Sequence, residues 1–472
     1  MGFRMRIGRF YLIVLTIFFA LIGVGEASEA VRSRLVCTAT AEAATLGGCW
    51  PLAGLVMDKD GALYGTSWGG GDTIAGGSVS PGMGRVFQLL PPVRGNGIWT
   101  ENVLHSFGPT GGQRPAASLA MAPDGTLYGT TYASSNGSGS VFSLAVKDGV
   151  WRGSPLYEFP PLPENIPPKG FTADGAKPMA SLTIGADGTL YGTTSEGGYL
   201  YPGRNGGGTV FALTPAANGR SLQTLYRFRP RDASGNLTGD GGMPLAGLVV
   251  DASGILYGTT ATGGADCDCG TVFALVPGKS GWTERILHVF RGGGDGARPM
   301  ANLVVDARGV FYGTTRYGGA ANNGTVFALA PNPDGSYREK ILTSFAGGAD
   351  GEEPVGSLIM DSAGVLYGTT MKGGGSPNCG EGCGSAFRLA NLGGVWVRTV
   401  LHAFRGIGVG ARSGDGAYPV GGLVADESGT LYGVTMSGGE ASAIITPSLV
   451  INCDSGEPGV PRGCGTVFSI NP

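Results

Sequence analysis

One phrase, Leu-Tyr-Gly-Thr-Thr or a near variant, occurs seven times along this chain, with its tyrosines at Tyr64, Tyr128, Tyr191, Tyr257, Tyr312, Tyr367 and Tyr432. Successive copies lie 55–66 residues apart. A unit recurring on that scale restricts the chain to a repeat architecture, in which each copy buries its apolar face against its neighbours.

Aligning the copies defines the unit. In the fourth, an apolar stretch Ala246–Asp251 precedes a short turn, Ala252–Gly254, and then the phrase itself, Leu256–Thr260. A Gly-rich loop follows, then Gly270–Val276, then Arg285–Phe290. A second loop carrying Asp-Gly and then Pro leads into the next copy. The segments are short, rich in Val, Leu, Phe, Tyr and Thr, and bounded by Gly, Asp or Pro, which reads as strand. None shows helical spacing of apolar residues. Four short antiparallel strands repeated seven times predict an all-β fold, a seven-bladed β-propeller. A parallel β-solenoid is the alternative, but its coils are much shorter than these units.

The last copy stops one strand short. It ends on Thr466–Ile470, and Pro472 closes the chain, whereas the first copy has a fourth strand at Val103–Phe107. An open edge invites aggregation. Arg34–Thr38 is therefore expected to pair with Thr466–Ile470, making residues 28–472 one closed domain.

The N-terminus reads as an export signal over residues 1–27. Arg4, Arg6 and Arg9 precede an apolar run, Phe10–Val24, and Gly25-Glu26-Ala27 offers a cleavage site. An uncleaved anchor is the alternative; no membrane span is expected after cleavage. Export makes the eight cysteines readable as local disulfides: Cys37 with Cys49, Cys267 with Cys269, Cys379 with Cys383, and Cys453 with Cys464. The rival reading is a thiolate metal site at Cys379 and Cys383, which lack histidines nearby in sequence.

Net charge is −3 and charged residues are only 14%, with no basic cluster, so nucleic acid is excluded as the expected partner. The 90 glycines fall at fixed turn positions rather than in low-complexity tracts.

Propeller topology sends the loops to two faces. One receives the short turns such as Lys59–Gly61. The other receives long, variable loops, including Trp68–Gly84, Phe159–Pro178, Arg229–Pro244, Arg405–Pro419 and Met436–Gly465, together with three of the cysteine pairs. Variable loops on a rigid ring are the usual place for function. Two slots on that face vary within a constant frame. The residue before the leading proline is Trp50, Arg114, Lys177, Met243, Arg298, Glu353 and Tyr418 in turn; the residue after the Thr-Thr pair is Trp68, Tyr132, Ser195, Ala261, Arg316, Met371 and Met436. Aromatic and cationic side chains suit a sugar ring or an anionic polymer. Trp50, Trp68, Arg114, Tyr132, Lys177, Arg298, Arg316 and Tyr418 are the expected ligand-binding residues.

Catalytic signals are weak. His105, His288 and His402 all fill one repeat position, two residues before a Phe, where Tyr157, Tyr226 and Thr343 stand in other copies, so they read as structural. This disfavours a histidine triad or a histidine-ligated metal. Asp58, Asp124, Asp187, Asp251, Asp306, Asp361 and Asp426 read as turn-capping residues. Glu353 and Glu196 are the non-repeated acids that could run acid/base chemistry, and Tyr418 and Lys177 are candidate bases for proton abstraction. No cofactor and no metal are expected.

The whole pattern, Asp-Gly-x-x-Pro, then Leu-x-x-Asp-x-x-Gly-x-Leu-Tyr-Gly-Thr-Thr, then Gly-Thr-Val-Phe-x-Leu, resembles the GloVer-type repeat of bacterial choice-of-anchor tandem repeat proteins. Asp295 through Phe327 follows it throughout. The resemblance implies an exported bacterial protein, often tethered by a C-terminal sorting segment; the last residues here still read as repeat, so such a segment is not expected. It carries no catalytic residues across. The expectation is thus a monomeric, periplasmic or secreted protein, surface-associated or free, that binds a carbohydrate polymer or an envelope or extracellular protein on its variable face. A polysaccharide lyase or glycoside hydrolase working without histidine is the alternative.

Overall fold

A computed structural model describes residues 50–472 except 71–82, 93–98, 167–170, 217–218, 409–413, 440–441, 447–448 and 453–464. The chain is a seven-bladed β-propeller. Blades 1 to 6 are four-stranded antiparallel sheets in chain order; blade 7 has three strands among the described residues, Val424–Ala425, Leu431–Thr435 and Thr466–Ile470. The expected closing strand at 34–38 lies outside the described residues. The ring nonetheless closes by packing, since Val434 and Val467 of blade 7 share a buried cluster with Leu55, Leu63 and Phe87 of blade 1.

Strand bounds differ from expectation in a consistent way. In blade 4 only Val249–Val250 of the first segment pairs with its neighbour, while the outer hairpin is longer, Thr271–Gly278 with Gly281–Val289. The first segment sits at the crowded axis, where its small residues meet other blades instead of a sheet partner. Asn302 of blade 5 reaches past Gly247 of blade 4, accepting its N–H at 2.7 Å, and donates to Ser181 of blade 3 at 3.1 Å. A Cβ on Gly54 of blade 1 would lie 2.9 Å from the Gly422 carbonyl of blade 7. Close packing at this level constricts the axis.

Each residue of the recurrent phrase has a separate job. The Tyr hydroxyl donates back to the turn Asp, as Tyr257 does to Asp251 at 3.0 Å. The same Asp accepts the N–H groups of Ser253 and Ile255, so it closes the turn and anchors the strand together. Asp58, Asp306, Asp361 and Asp426 repeat this. Asp124 and Asp187 do not: they stand two residues later in the turn and accept from Thr126 and Thr189. The phrase Gly makes room for the third-strand Phe; a Cβ on Gly258 would lie 2.7 Å from Phe273 Cζ. The first Thr bonds the next blade, as Thr130 does to the Ala180 carbonyl at 3.2 Å. The second Thr meets the first residue of the third strand, as in Thr260 with Thr271 at 2.8 Å.

The phenylalanines seal the blades to one another. The outer-strand Phe of one blade stands edge-on to the third-strand Phe of the next: Phe159 with Phe211, Phe228 with Phe273, Phe290 with Phe327 and Phe345 with Phe387, at 5.2–5.3 Å. All eight are essentially fully buried. Each buried Phe stabilises by about 1.5–3 kcal/mol, and each edge-on pair by roughly 1 kcal/mol more. His105, His288 and His402 lie edge-on to the outer-strand Phe, at 4.7–4.8 Å, as Tyr157 and Tyr226 do at 5.1 Å, so all five serve the wall between blades.

Candidate functional site

The two variable slots come together because one residue stitches adjacent blades. The N–H of the residue before the leading proline donates to the preceding blade, and its carbonyl accepts from its own. Arg298 donates to Cys269 O at 2.7 Å and accepts from Arg316 N–H at 3.1 Å; Lys177 donates to Ser138 O at 2.8 Å and accepts from Ser195 N–H at 3.1 Å. Arg114, Met243, Glu353 and Tyr418 do the same. Just outside the stitch, Ala297 pairs with Tyr317, Glu352 with Lys372 and Ala417 with Ser437, so in these blades the segment before the proline lies beside the segment after the phrase.

This stitching requires a left-handed backbone. Arg114, Lys177, Met243, Arg298, Glu353 and Tyr418 have φ of 50–58°. The other described non-glycine residues with positive φ are Asp148, Asp268 and Asn322, the types that tolerate it best. A side chain in this conformation costs of order 1–2 kcal/mol that glycine avoids.

The side chains so placed form two arcs. Across blades 1 to 3, Trp68 and Tyr132 lie 5.1 Å apart, Arg114 is 5.6 Å from the Trp68 ring, and Lys177 is 4.3 Å from the Tyr132 ring. Lys177 also donates to the Gly137 carbonyl. Across blades 5 and 6, Arg298 and Arg316 sit over Tyr317 at 5.9 and 5.0 Å. Glu353 is buried and held from two sides, by Arg316 at 2.7 Å and Lys372 at 3.0 Å, and Lys372 bridges on to Glu381. The Glu381 and Glu353 carboxylates hold the Lys372 ammonium above its usual pKa, while burial raises the Tyr418 phenol.

Of the acid/base candidates, Glu353 is thus a tethered counter-ion rather than a free carboxylate. Glu196 belongs to blade 3, in the strand Glu196–Leu200 paired with Phe171–Ala176, whereas Glu353 leads into blade 6. Tyr317 and Lys372 were not singled out by sequence. Both occupy the slot after Arg316 and Met371, which reads Gly69, Ala133, Glu196, Thr262, Tyr317, Lys372 and Ser437, and this same variability was the available signal.

Cysteines brace the stitch directly. Cys267 is disulfide-bonded to Cys269, which receives Arg298, and Cys379 to Cys383, whose carbonyl accepts the Tyr418 N–H at 2.8 Å. Cys37, Cys49, Cys453 and Cys464 lie outside the described residues. Among the described residues, no helix is long and apolar enough to cross a membrane.

Fold and site define a repeat propeller with a constant frame and a variable mouth. The Gloeobacter/Verrucomicrobia repeat matches residues 37–239 and again 234–446, and the chain belongs to that family. No curated protein is detectably similar. Among solved structures, the domain described as the extracellular domain of a hybrid two-component system, BT4673 of B. thetaiotaomicron, aligns over 84% of this chain and 39% of its own, at 12% identity and a TM-score of 0.49. The chain therefore spans about two fifths of that structure. PorZ of Porphyromonas gingivalis, a surface component of the type-IX secretion system, aligns over 80% of this chain and 44% of its own at 13% identity and a TM-score of 0.40. A Bacteroides uniformis protein provisionally assigned as a 6-phosphogluconolactonase aligns over 88% and 99% at 13% identity and a TM-score of 0.47. Likenesses this distant bear on neither activity nor ligand.

Proposed function

We propose that this protein is an exported propeller whose variable mouth binds an acidic polysaccharide. The observation that carries the reading is the left-handed stitch. Six positions favour glycine on backbone grounds, and a chain with 90 glycines places none there. Arginine, lysine, methionine, glutamate and tyrosine stand there instead, and retaining strain for a side chain is characteristic of functional positions.

The chemistry of the slots points to the ligand class. Arg114 and Lys177 stand beside Trp68 and Tyr132 with no carboxylate partner among the described residues, and Arg298, Arg316 and Lys372 stand against Glu353 and Glu381, in a protein whose net charge is −3. Positive charge is therefore gathered at the mouth against the overall balance, which steers anions. Trp68 and Tyr132 offer flat apolar faces to a sugar ring beside the cations that would meet its carboxylates. The leader and the disulfides support export.

The test is titration calorimetry of the mature chain with polygalacturonate, alginate and neutral dextran at two salt concentrations. Binding of the acidic polymers only, weakened by salt and by Trp68→Ala or Arg298→Ala at unchanged melting, is expected. Equal binding of dextran, or variants that change melting and not binding, would remove the proposal. Shortened polymer chains after incubation would instead favour the lyase or hydrolase.

A further inference from the structure

The junction between blades 4 and 5 differs from its siblings in one respect. At the junctions into blades 3 to 6, the Asp of the leading Asp-Gly pair (Asp174, Asp240, Asp295 and Asp350) lies beside outer-strand side chains. Blade 6 supplies Arg398 to Asp350, and Arg227 meets Asp174 at 2.5 Å. Asp240 faces a carboxylate instead, Glu284, but the Tyr226 hydroxyl lies between them, 3.2 Å from Asp240 and 2.9 Å from Glu284.

Asp295 has neither device. Its Oδ1 lies 3.2 Å from His288 Nε2, and its Oδ2 accepts the Arg291 N–H at 2.7 Å. The third member is Glu339, which occupies the register position of Arg398: both pair with the equivalent third-strand leucine, Leu329 and Leu389. The nearby cation is turned away, since Arg291 pairs with Asp266. Glu339 Oε1 is shielded from solvent without a hydrogen-bond partner, and His288 Nε2, equally shielded, has only its approach to Asp295. Two carboxylates and an imidazole therefore converge, with their ligand atoms all within 4.8 Å. The junctions into blades 3, 4 and 6 carry a guanidinium or a bridging hydroxyl instead, and the one into blade 7 repeats the His–Asp contact, His402 with Asp415 at 3.2 Å, without a second carboxylate.

We propose that His288, Asp295 and Glu339 form a site for a divalent metal ion of the zinc class, which clamps blade 4 to blade 5. One imidazole nitrogen and two carboxylate oxygens are a donor set that zinc accepts with a solvent molecule in the fourth position. Tetrahedral ligands at about 2.0 Å from an ion stand about 3.3 Å apart. The His288–Asp295 separation of 3.2 Å already fits, and Glu339, within 4.8 Å of both, needs to swing inward by at most about 1.5 Å. Sequence spacing hides the site, because Glu339 belongs to the next repeat and His288 sits in a slot that reads as structural in every copy.

The repeat supplies variants that its own frame tolerates. His288→Tyr installs the residue that fills this slot at Tyr157 and Tyr226, and Glu339→Arg installs the residue found at Arg398. Equilibrium dialysis against zinc in excess magnesium is expected to load the wild-type chain with one ion and raise its melting temperature. Both variants should lose at least about tenfold in zinc affinity, and Glu339→Arg should melt at or above the zinc-free wild type because it carries its own cation. Glu339→Gln serves if either variant does not fold. Failure of the wild type to take up zinc, or uptake undiminished in the variants, overturns the proposal.

Discussion

Replacing Gly258 by Ala probes how the recurrent phrase is built into the blade. The added Cβ would meet Phe273 Cζ at 2.7 Å, Leu248 Cδ2 at 2.9 Å and Phe273 Cε1 at 3.0 Å. Phe273 is fully buried and stands edge-on to Phe228 of the previous blade at 5.2 Å, so it has no free direction in which to retreat. Forcing one methyl into such packing costs about 1–3 kcal/mol. Alanine recovers about 0.5–1 kcal/mol over glycine in a strand. The net expectation is a loss of up to about 2.5 kcal/mol, read as a lower urea midpoint. The cause is tested by the double variant. Phe273→Leu removes the atom in collision, so Gly258→Ala should cost at least about 0.5 kcal/mol less in that background than alone. Additive losses would refute the steric reading and place the requirement for glycine in the backbone instead.

Two further outcomes follow from the same geometry. Burial and the neighbouring Asp240 push the Glu284 carboxyl up to about 8, whereas unfolded it titrates near 4.5. Between those values the folded state holds a proton that the unfolded chain has lost, so stability falls as pH rises through this window. Glu284→Gln should flatten that decline, and an unchanged pH profile of the urea midpoint would reject the assignment. The closing strand gives the second test: truncation of residues 28–45 should lower the melting temperature and promote association through the freed edge of Thr466–Ile470, and a monomeric, equally stable truncation would show that residues 34–38 do not close the ring.

The blades were legible because each phrase carries its strand pattern locally, turn by turn. The stitch was half legible. Variation against a constant frame singled out Trp68, Tyr132 and the arginines, since a position that the fold does not dictate stands out among seven copies. Their pairings were not legible, because Arg316 meets Glu353 across a blade boundary and Lys372 reaches the same carboxylate from a third slot. The left-handed backbone was hidden too: a proline follows each of these residues, and nothing in Arg298 or Tyr418 as residue types announces a positive φ. Sequence placed Asp124 and Asp187 with the other turn aspartates because it counts residues and not hydrogen bonds; a two-residue offset moves the carboxylate away from the tyrosine hydroxyl. The metal cluster escaped for the reason that the ion pairs did, as its members come from two repeats.

On our proposal, the mouth keeps side chains at positions where the backbone prefers glycine because those side chains hold an acidic chain. Arg114, Lys177 and Arg298 replaced together by glycine test it in one molecule. Relief of three left-handed side chains, at about 1–2 kcal/mol each against about 0.5–1 kcal/mol of added chain entropy, should raise the urea midpoint. Polygalacturonate binding should be lost in the same protein. A triple variant that gains stability and still binds polygalacturonate would show that these side chains do not hold the polymer.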